Sequence, residues 1–313
     1  MTVLVVDTDP GLDDAHALAM ACVPSADRPT YPIAAVCTVA GNVDIDTVTA
    51  NTRWLLGAYG GAAAEIPVYR GAAGPIAGPY AYAADIHGSD GLGELPRWDV
   101  PDVPERATPA ALALVEAARR RPGEVTLVAL GPLTNVALAA RLEPRLPELL
   151  GRVIVMGGSI HGRGNLTVNS EFNFGADPAA ADLVLGAFPR LTLVSWEATL
   201  DHAFTPEEFA GFFSSAGAPA DTLRRINENR FATDPLYAKR AAYVRADPLA
   251  MAVALDPGIV THAERHRVYV GYGPGTLAHG VTAVDWRDLQ DDRPAVEIVL
   301  GFDRERLPAL LRV

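Results

Sequence analysis

Four carboxylates crowd into the eight residues Asp7-Thr8-Asp9-Pro10-Gly11-Leu12-Asp13-Asp14. Ionised carboxylates held that close repel one another and shift one another's pKa. The usual relief is a hard divalent cation with oxygen ligands, Ca²⁺ or Mg²⁺. The stretch therefore predicts the metal-binding floor of an active site. An acidic turn that merely caps a helix is the plainer alternative, but isolated carboxylates would suffice for that.

The flanking residues say what positions the acids. Val3 to Val6 form an apolar run without polar alternation, as in a strand buried on both faces of a parallel sheet. Pro10 and Gly11 form a turn, and Asp13 suits the N-cap or first turn of a helix beginning nearby. The acids thus fall at the carboxyl end of a strand, the edge where open α/β sheets bind ligands. Strand-like runs recur at 33–39, 125–130, 153–156 and 191–194, each closing on glycine or a small polar residue. Between them, 46–57, 109–120 and 176–186 have helical spacing. This alternation predicts one open, mostly parallel, Rossmann-like sheet flanked by helices, with the whole chain, 1–313, as a single domain. The stretch 206–244 reads as several helices covering the site, and 268–273 and 294–300 as strands at a sheet edge.

Other polar groups fall at the same kind of position. Asn42 ends the second strand, where Asn is most often a turn residue. His87 lies in the glycine-punctuated stretch 85–93, either as a proton donor or substrate partner or as an ordinary surface histidine. Asn165, Asn169, Glu171 and Asn173 fall within 164–173 and offer amide and carboxylate groups suited to sugar hydroxyls. Asp247 precedes the apolar run Pro248-Leu249-Ala250-Met251-Ala252, the usual place of an N-cap.

Composition excludes several classes. With 26 basic and 38 acidic residues the formal charge is −12, and no basic stripe offers itself to nucleic acid or an anionic membrane. Apolar stretches are strand-length, too short to span a bilayer. Asp7 and Asp9 interrupt the N-terminal apolar run and no basic segment precedes it, which argues against a signal peptide and for a cytoplasmic protein. Cys22 and Cys37 sit in apolar surroundings and read as two buried thiols, not as a disulfide or a cysteine-based metal site.

Taken together, the motifs resemble the nucleoside hydrolase family, the inosine–uridine preferring nucleoside hydrolases. The likeness starts at Asp7-Thr8-Asp9-Pro10-Gly11-Leu12-Asp13-Asp14-Ala15 and continues through Thr38-Val39-Ala40-Gly41-Asn42, Ile86-His87-Gly88 and Gly131-Pro132-Leu133-Thr134-Asn135. It runs on through Met156-Gly157-Gly158 and Glu171-Phe172-Asn173 to Asp247-Pro248, covering most of the chain in one order. The resemblance implies a Ca²⁺-dependent N-ribohydrolase acting on a small nucleoside, in a homodimer or homotetramer. It implies Ca²⁺ held by Asp9, Asp14, Asp247 and the Leu130 carbonyl, and bound also to the ribose 2′- and 3′-hydroxyls and one water. Asp9 would take the proton of that water. Asp13 and Asn173 match residues that grip the ribose diol, and Asn165 and Glu171 match the 5′-hydroxyl contacts. Asn42, Met156 and Phe172 fall on pocket positions, and His87 on the loop that closes over the base.

One departure stands out. Well-known members carry a histidine just before the last metal-binding aspartate, as general acid for the leaving base; here that residue is Ala246. Arg245, Tyr237, Tyr243, His202 and His87 are the polar groups available instead, and Arg245 does not release a proton but can stabilise an anion. A nucleoside- or ribose-binding protein with impaired turnover is thus the second reading. A phosphatase of the haloacid-dehalogenase type, which also opens on a strand and Asp-x-Asp, is a third. Those proteins usually carry Thr or Val where this chain has Gly11, and that reading leaves Asp13, Asp14 and the Asn-rich cluster unexplained.

Overall fold

The computed structural model describes residues 2–78, 82–234 and 238–313. Its strands are β1 (Val3–Thr8), β2 (Ile33–Thr38), β3 (Val68–Arg70), β4 (Glu105–Arg106), β5 (Val125–Ala129), β6 (Arg152–Met156), β7 (Leu191–Val194), β8 (Val260–His266), β9 (Val268–Val270), β10 (Thr282–Val284) and β11 (Val296–Phe302). Nine of them form one sheet in the order β4-β3-β2-β1-β5-β6-β7-β11-β8, and β9 and β10 pair separately. Pairing is parallel from β4 through to β11, and only β8 runs antiparallel, on β11.

Burial on both faces explains why these strands read as unbroken apolar runs. Leu4 and Val6 of β1 enter one core, with the helices Leu12–Cys22, Ile45–Tyr59 and Ala246–Leu255. Val3 and Val5 enter the other, with Ala110–Arg120, Thr134–Leu142 and Pro178–Ala187. The chain leaves β1 in one direction through β2, β3 and β4 and in the other through β5, β6 and β7. β1 and β5 therefore flank the topological switch point, where a crevice opens beyond the strand ends.

Two expectations are corrected. The strand near 294–300 is not at the edge: β11 lies inside the sheet, because Val296 and Ile298 face one core and Val299 the other. The edge strand is β8, whose residues Thr261-His262-Ala263-Glu264-Arg265-His266 are too polar to read as a strand and suit an exposed edge. In 206–244 the helices Pro206–Gly211 and Ala218–Thr233 form, but the residues there that face the cleft, Arg240, Ala242 and Val244, follow them in non-helical backbone. An isolated antiparallel bridge between Phe204 and Tyr243 pins that segment. Cys37 is buried, Cys22 is half-buried, and neither forms a disulfide. Among the described residues no helix is long and apolar enough to cross a membrane.

Candidate active site

The site is built from the carboxyl end of β1. The chain turns through Pro10 and Gly11, and the first helix starts at Leu12 with Asp13 and Asp14 in its first turn. Asp14 accepts hydrogen bonds from the Thr8 hydroxyl (2.5 Å), the Gly11 N–H (2.9 Å) and the Asp9 N–H (3.3 Å), which folds the acidic turn back on itself. Asn42, beyond β2, is no ordinary turn residue. Its N–H donates to Asp9 Oδ2 at 2.8 Å, and its Nδ2 donates to the Asp9 carbonyl at 3.0 Å and to Asp14 Oδ2 at 3.2 Å.

Two glycines leave the space Asp9 occupies. A Cβ on Gly41 would lie 2.1 Å from Asp9 Oδ2, and one on Gly131 2.5 Å from Oδ1. Gly41→Ala is accordingly expected to push Asp9 aside or strain its own turn and to destabilise the fold by about 1–3 kcal/mol, the usual cost of overpacking. A thermal melt tests this; an unchanged melting temperature would show that Asp9 is not so confined.

Electrostatics make the same floor unstable as it stands. Asp9, Asp14 and Asp247 are all buried, and burial first, then mutual repulsion with Asp13, raises their pKa values above the ordinary carboxylate range. Carboxylate oxygens of Asp13, Asp14 and Asp247 lie within 4.8 Å of one another. Such a nest is neutralised either by protons or by a cation. A donor set of oxygens, with no cysteine or histidine in the group, suits Ca²⁺ or Mg²⁺ better than a transition metal.

Above the floor opens a cleft of about 560 Å³, within the range of small-molecule sites. Asp13, Asn42, Leu130, Met156, Asn173 and Asp247 are among the residues that line it. Asn173 Nδ2 donates to the carbonyls of Leu130 (2.7 Å) and Met156 (3.2 Å), tying the ends of β5 and β6 together. Glu171 lines the cleft too and caps the short helix Phe172–Ala176, accepting from the N–H groups of Gly158, Asn173 and Phe174. Burial nonetheless pushes its pKa up to about 7. Asn165 Oδ1 accepts the Phe172 N–H at 2.8 Å, and both residues face the cleft. His87 closes one side on the short helix Ala84–His87. Its Nδ1 accepts the Leu12 N–H at 3.0 Å, so Nε2 carries the proton of the neutral ring, which burial favours.

Residues 4–309 match the family model described as inosine-uridine preferring nucleoside hydrolase. The chain belongs to that family. The non-specific ribonucleoside hydrolase RihC of Escherichia coli (strain SMS-3-5 / SECEC) is 39% identical over 207 residues, which are 66% of this chain and 65% of that protein. RihC of Shigella boydii serotype 18 (strain CDC 3083-94 / BS512) matches at 39% over the same length. The match thus spans 65% of the length of these curated relatives. Among solved structures, the plant nucleoside hydrolase PpNRh1 superposes with a TM-score of 0.87 at 29% identity, covering 99% of this chain and 98% of that one. An inosine-guanosine nucleoside hydrolase (IG-NH) gives 0.84 at 29% identity, covering 99% and 97%. The likeness to these structures thus runs over nearly the whole chain.

Within this member of the family the predicted residues are not all placed alike. Asp13, Asn42, His87, Leu130, Met156, Asn165, Glu171, Phe172, Asn173 and Asp247 line the cleft, whereas Asp9 and Asp14 sit beneath its floor. Asn169 is half-buried and outside the cleft lining. Of the polar groups weighed in place of the missing histidine, His202 has both ring nitrogens engaged, with the Ala198 carbonyl and the Phe302 N–H. Tyr243 is buried and not part of the lining. Tyr237 lies outside the described residues. Sequence reasoning missed Tyr82, Trp196 and Leu200, which also face the cleft. Trp196 was reachable, since it lies two residues past the end of β7. Tyr82 and Leu200 carry no pattern that would have marked them.

Proposed function

We propose that this chain hydrolyses the N-glycosidic bond of ribonucleosides, releasing ribose and free base. The observation that carries this is the buried carboxylate nest under a cleft whose lining also offers Asn42, Glu171 and Asn173 to a polyol, in a chain of the nucleoside hydrolase family. Asp9, Asp14, Asp247 and the Leu130 carbonyl would hold Ca²⁺. When bound, the ion supplies orientation of the ribose diol and a lowered pKa for a water.

The chain's own residues do the rest. Asp9, fixed by Asn42 and confined by Gly41 and Gly131, takes the proton of the attacking water. Asp13 and Asn173 grip the ribose diol, and Asn165 and Glu171 take the 5′-hydroxyl. Pinning the sugar at both ends holds the anomeric carbon in line for attack. As the base leaves, positive charge grows on the ribose ring, and the surrounding carboxylates stabilise it. His87 and Trp196 flank the base.

The second reading, a nucleoside-binding protein with impaired turnover, rests on Ala246, which lines the cleft where the acid would stand. Family membership sets the phosphatase reading aside. Ribose release from purine, pyrimidine and modified nucleosides, with and without a Ca²⁺ chelator, separates the two that remain. Chelator-sensitive release is the expected result. Ca²⁺-dependent nucleoside binding without any ribose would move the assignment to the binding protein.

A further inference from the structure

We propose that Glu197 is a positioning residue that sets the preference for a substrate 5′-hydroxyl, by holding the loop that presents Asn165; this rests on the hydrolase reading above. Most polar residues of the cleft stand on regular elements. Asp13 and Asp247 lie in the first turns of their helices, and Glu171 and Asn173 cap and open a third. Asn165 is different. It is exposed and belongs to the non-helical loop 157–169 that follows β6. Its Oδ1 already accepts the Phe172 N–H at 2.8 Å, so the Nδ2 donors are what it offers to a hydroxyl in the cleft.

Two anchors fix that loop. At its far end the N–H groups of Asn165, Leu166 and Thr167 converge on the Ser170 carbonyl at 3.0–3.3 Å. At its near end the anchor is a carboxylate. Glu197 is only 3% exposed and accepts hydrogen bonds from the Ser159 hydroxyl (2.8 Å) and from the N–H groups of Ile160 (2.9 Å), His161 (3.0 Å) and Arg163 (3.2 Å). Successive backbone N–H groups turned onto one anion form a nest, so the loop is wrapped round this charge. Burying a carboxylate is costly unless hydrogen bonds compensate it, and charge-assisted bonds are about twice as strong as neutral ones. The adjacent Trp196 N–H donates to the Gly158 carbonyl at 2.9 Å, which seats the helix Trp196–Asp201 on the start of the same loop. Glu197 itself does not line the cleft, so its effect on substrate passes through the loop.

The consequence is selection at the far end of the sugar. A hydrogen bond weakens steeply when its donor is displaced or misaligned, whereas a nucleoside without the hydroxyl does not feel the change. With Glu197 in place the 5′-hydroxyl is rewarded. Without it the loop no longer holds Asn165 in one position, and the advantage of that hydroxyl disappears.

The test reads kcat/KM from release of free base, with uridine, inosine and the 5′-deoxy counterpart of each. The wild type is expected to favour the 5′-hydroxyl by about tenfold or more, because the deoxy substrate leaves polar groups of the site unpaired. Glu197→Gln keeps the side-chain volume but turns an amide N–H₂ onto backbone N–H groups. It should lower the values for uridine and inosine by about tenfold, and those of the 5′-deoxy compounds by less than about threefold. Added to Asn165→Ala, it should bring no further loss of the ratio, since both changes break one coupling. Proportional losses on both members of a pair, or additive losses in the double variant, would leave Glu197 a merely structural role and overturn the inference. A wild type indifferent to the 5′-hydroxyl would overturn it as well. Should Glu197→Gln fail to fold by circular dichroism, Ser159→Ala, which removes one donor and leaves the charge, decides: a lowered ratio supports the inference and an unchanged one overturns it. Base release with any of these contrary results leaves the hydrolase reading standing; no release from any nucleoside sinks both.

Discussion

Asp9→Asn is expected to lower ribose release by about 10²- to 10⁴-fold, the usual contribution of a positioned general base. Shape alone gives no reason for a loss of that size. Asparagine has the volume of aspartate, and its Oδ1 can still accept the Asn42 N–H that now reaches Asp9 at 2.8 Å. The slot between Gly41 and Gly131 is therefore filled as before. The substitution also removes a buried carboxyl that Asp14 and Asp13 repel when it is ionised, so the metal-free variant should melt no lower than the metal-free wild type. Turnover and a thermal melt on the same preparation make the check. A variant that turns over normally would take the base role from Asp9, and one that melts far below the wild type would make any loss of turnover uninformative.

Removal of the metal is expected to reduce turnover to background and to leave a protein whose stability falls as pH rises. The sign follows from the direction of the shifts. Asp9, Asp14 and Asp247 have folded pKa values above those of the unfolded chain, and burial pushes Asp7 from 3.8 and Glu171 from 4.5 to about 7 in each case. The native state thus binds more protons than the unfolded state across that interval. The stability these protons supply is complete below about pH 4 and is lost as pH climbs through about 7. Chelated protein should melt higher at pH 5 than at pH 8, and added Ca²⁺ should raise the melting temperature more at pH 8, where protons no longer occupy the nest. A chelated protein that gains stability between pH 5 and pH 8 would contradict this account of the floor.

Legibility in the sequence followed the range of the forces involved. β1 and the acidic turn are local: a run buried on both faces, a Pro-Gly turn and a helix start lie within fourteen residues, and the structure forms each where the pattern places it. β5, β6 and β7 were legible for the same reason. β8 was not, because an edge strand is polar by necessity and its pairing with β11 is a long-range choice. Within the site, Asn42 looked like a turn residue. Only the fold, by setting β2 beside β1, brings its amide onto Asp9 and Asp14. His202 looked available as a proton donor, and the chain buries it against Phe302 with both nitrogens occupied. Side-chain chemistry was readable from residue type, but which groups would already be satisfied was not.

The topology also gives the site an order of arrival. The acidic turn belongs to the first fourteen residues, Leu130 and Asn173 come from the middle, and Asp247 lies in the first turn of a late helix that packs in the same core as the Leu12–Cys22 helix. On a ribosome, an interior strand of the sheet is made early with its carboxylates short of one partner, and it stays so until the chain has passed Ala246–Leu255. Docking of that helix brings the last buried carboxylate and the apolar partner of the first helix in a single event. The intact carboxylate floor is therefore a mark of finished folding: a truncation before residue 246 loses a core element and Asp247 together, so a chain cut there cannot keep the floor of this cleft and give up only its roof.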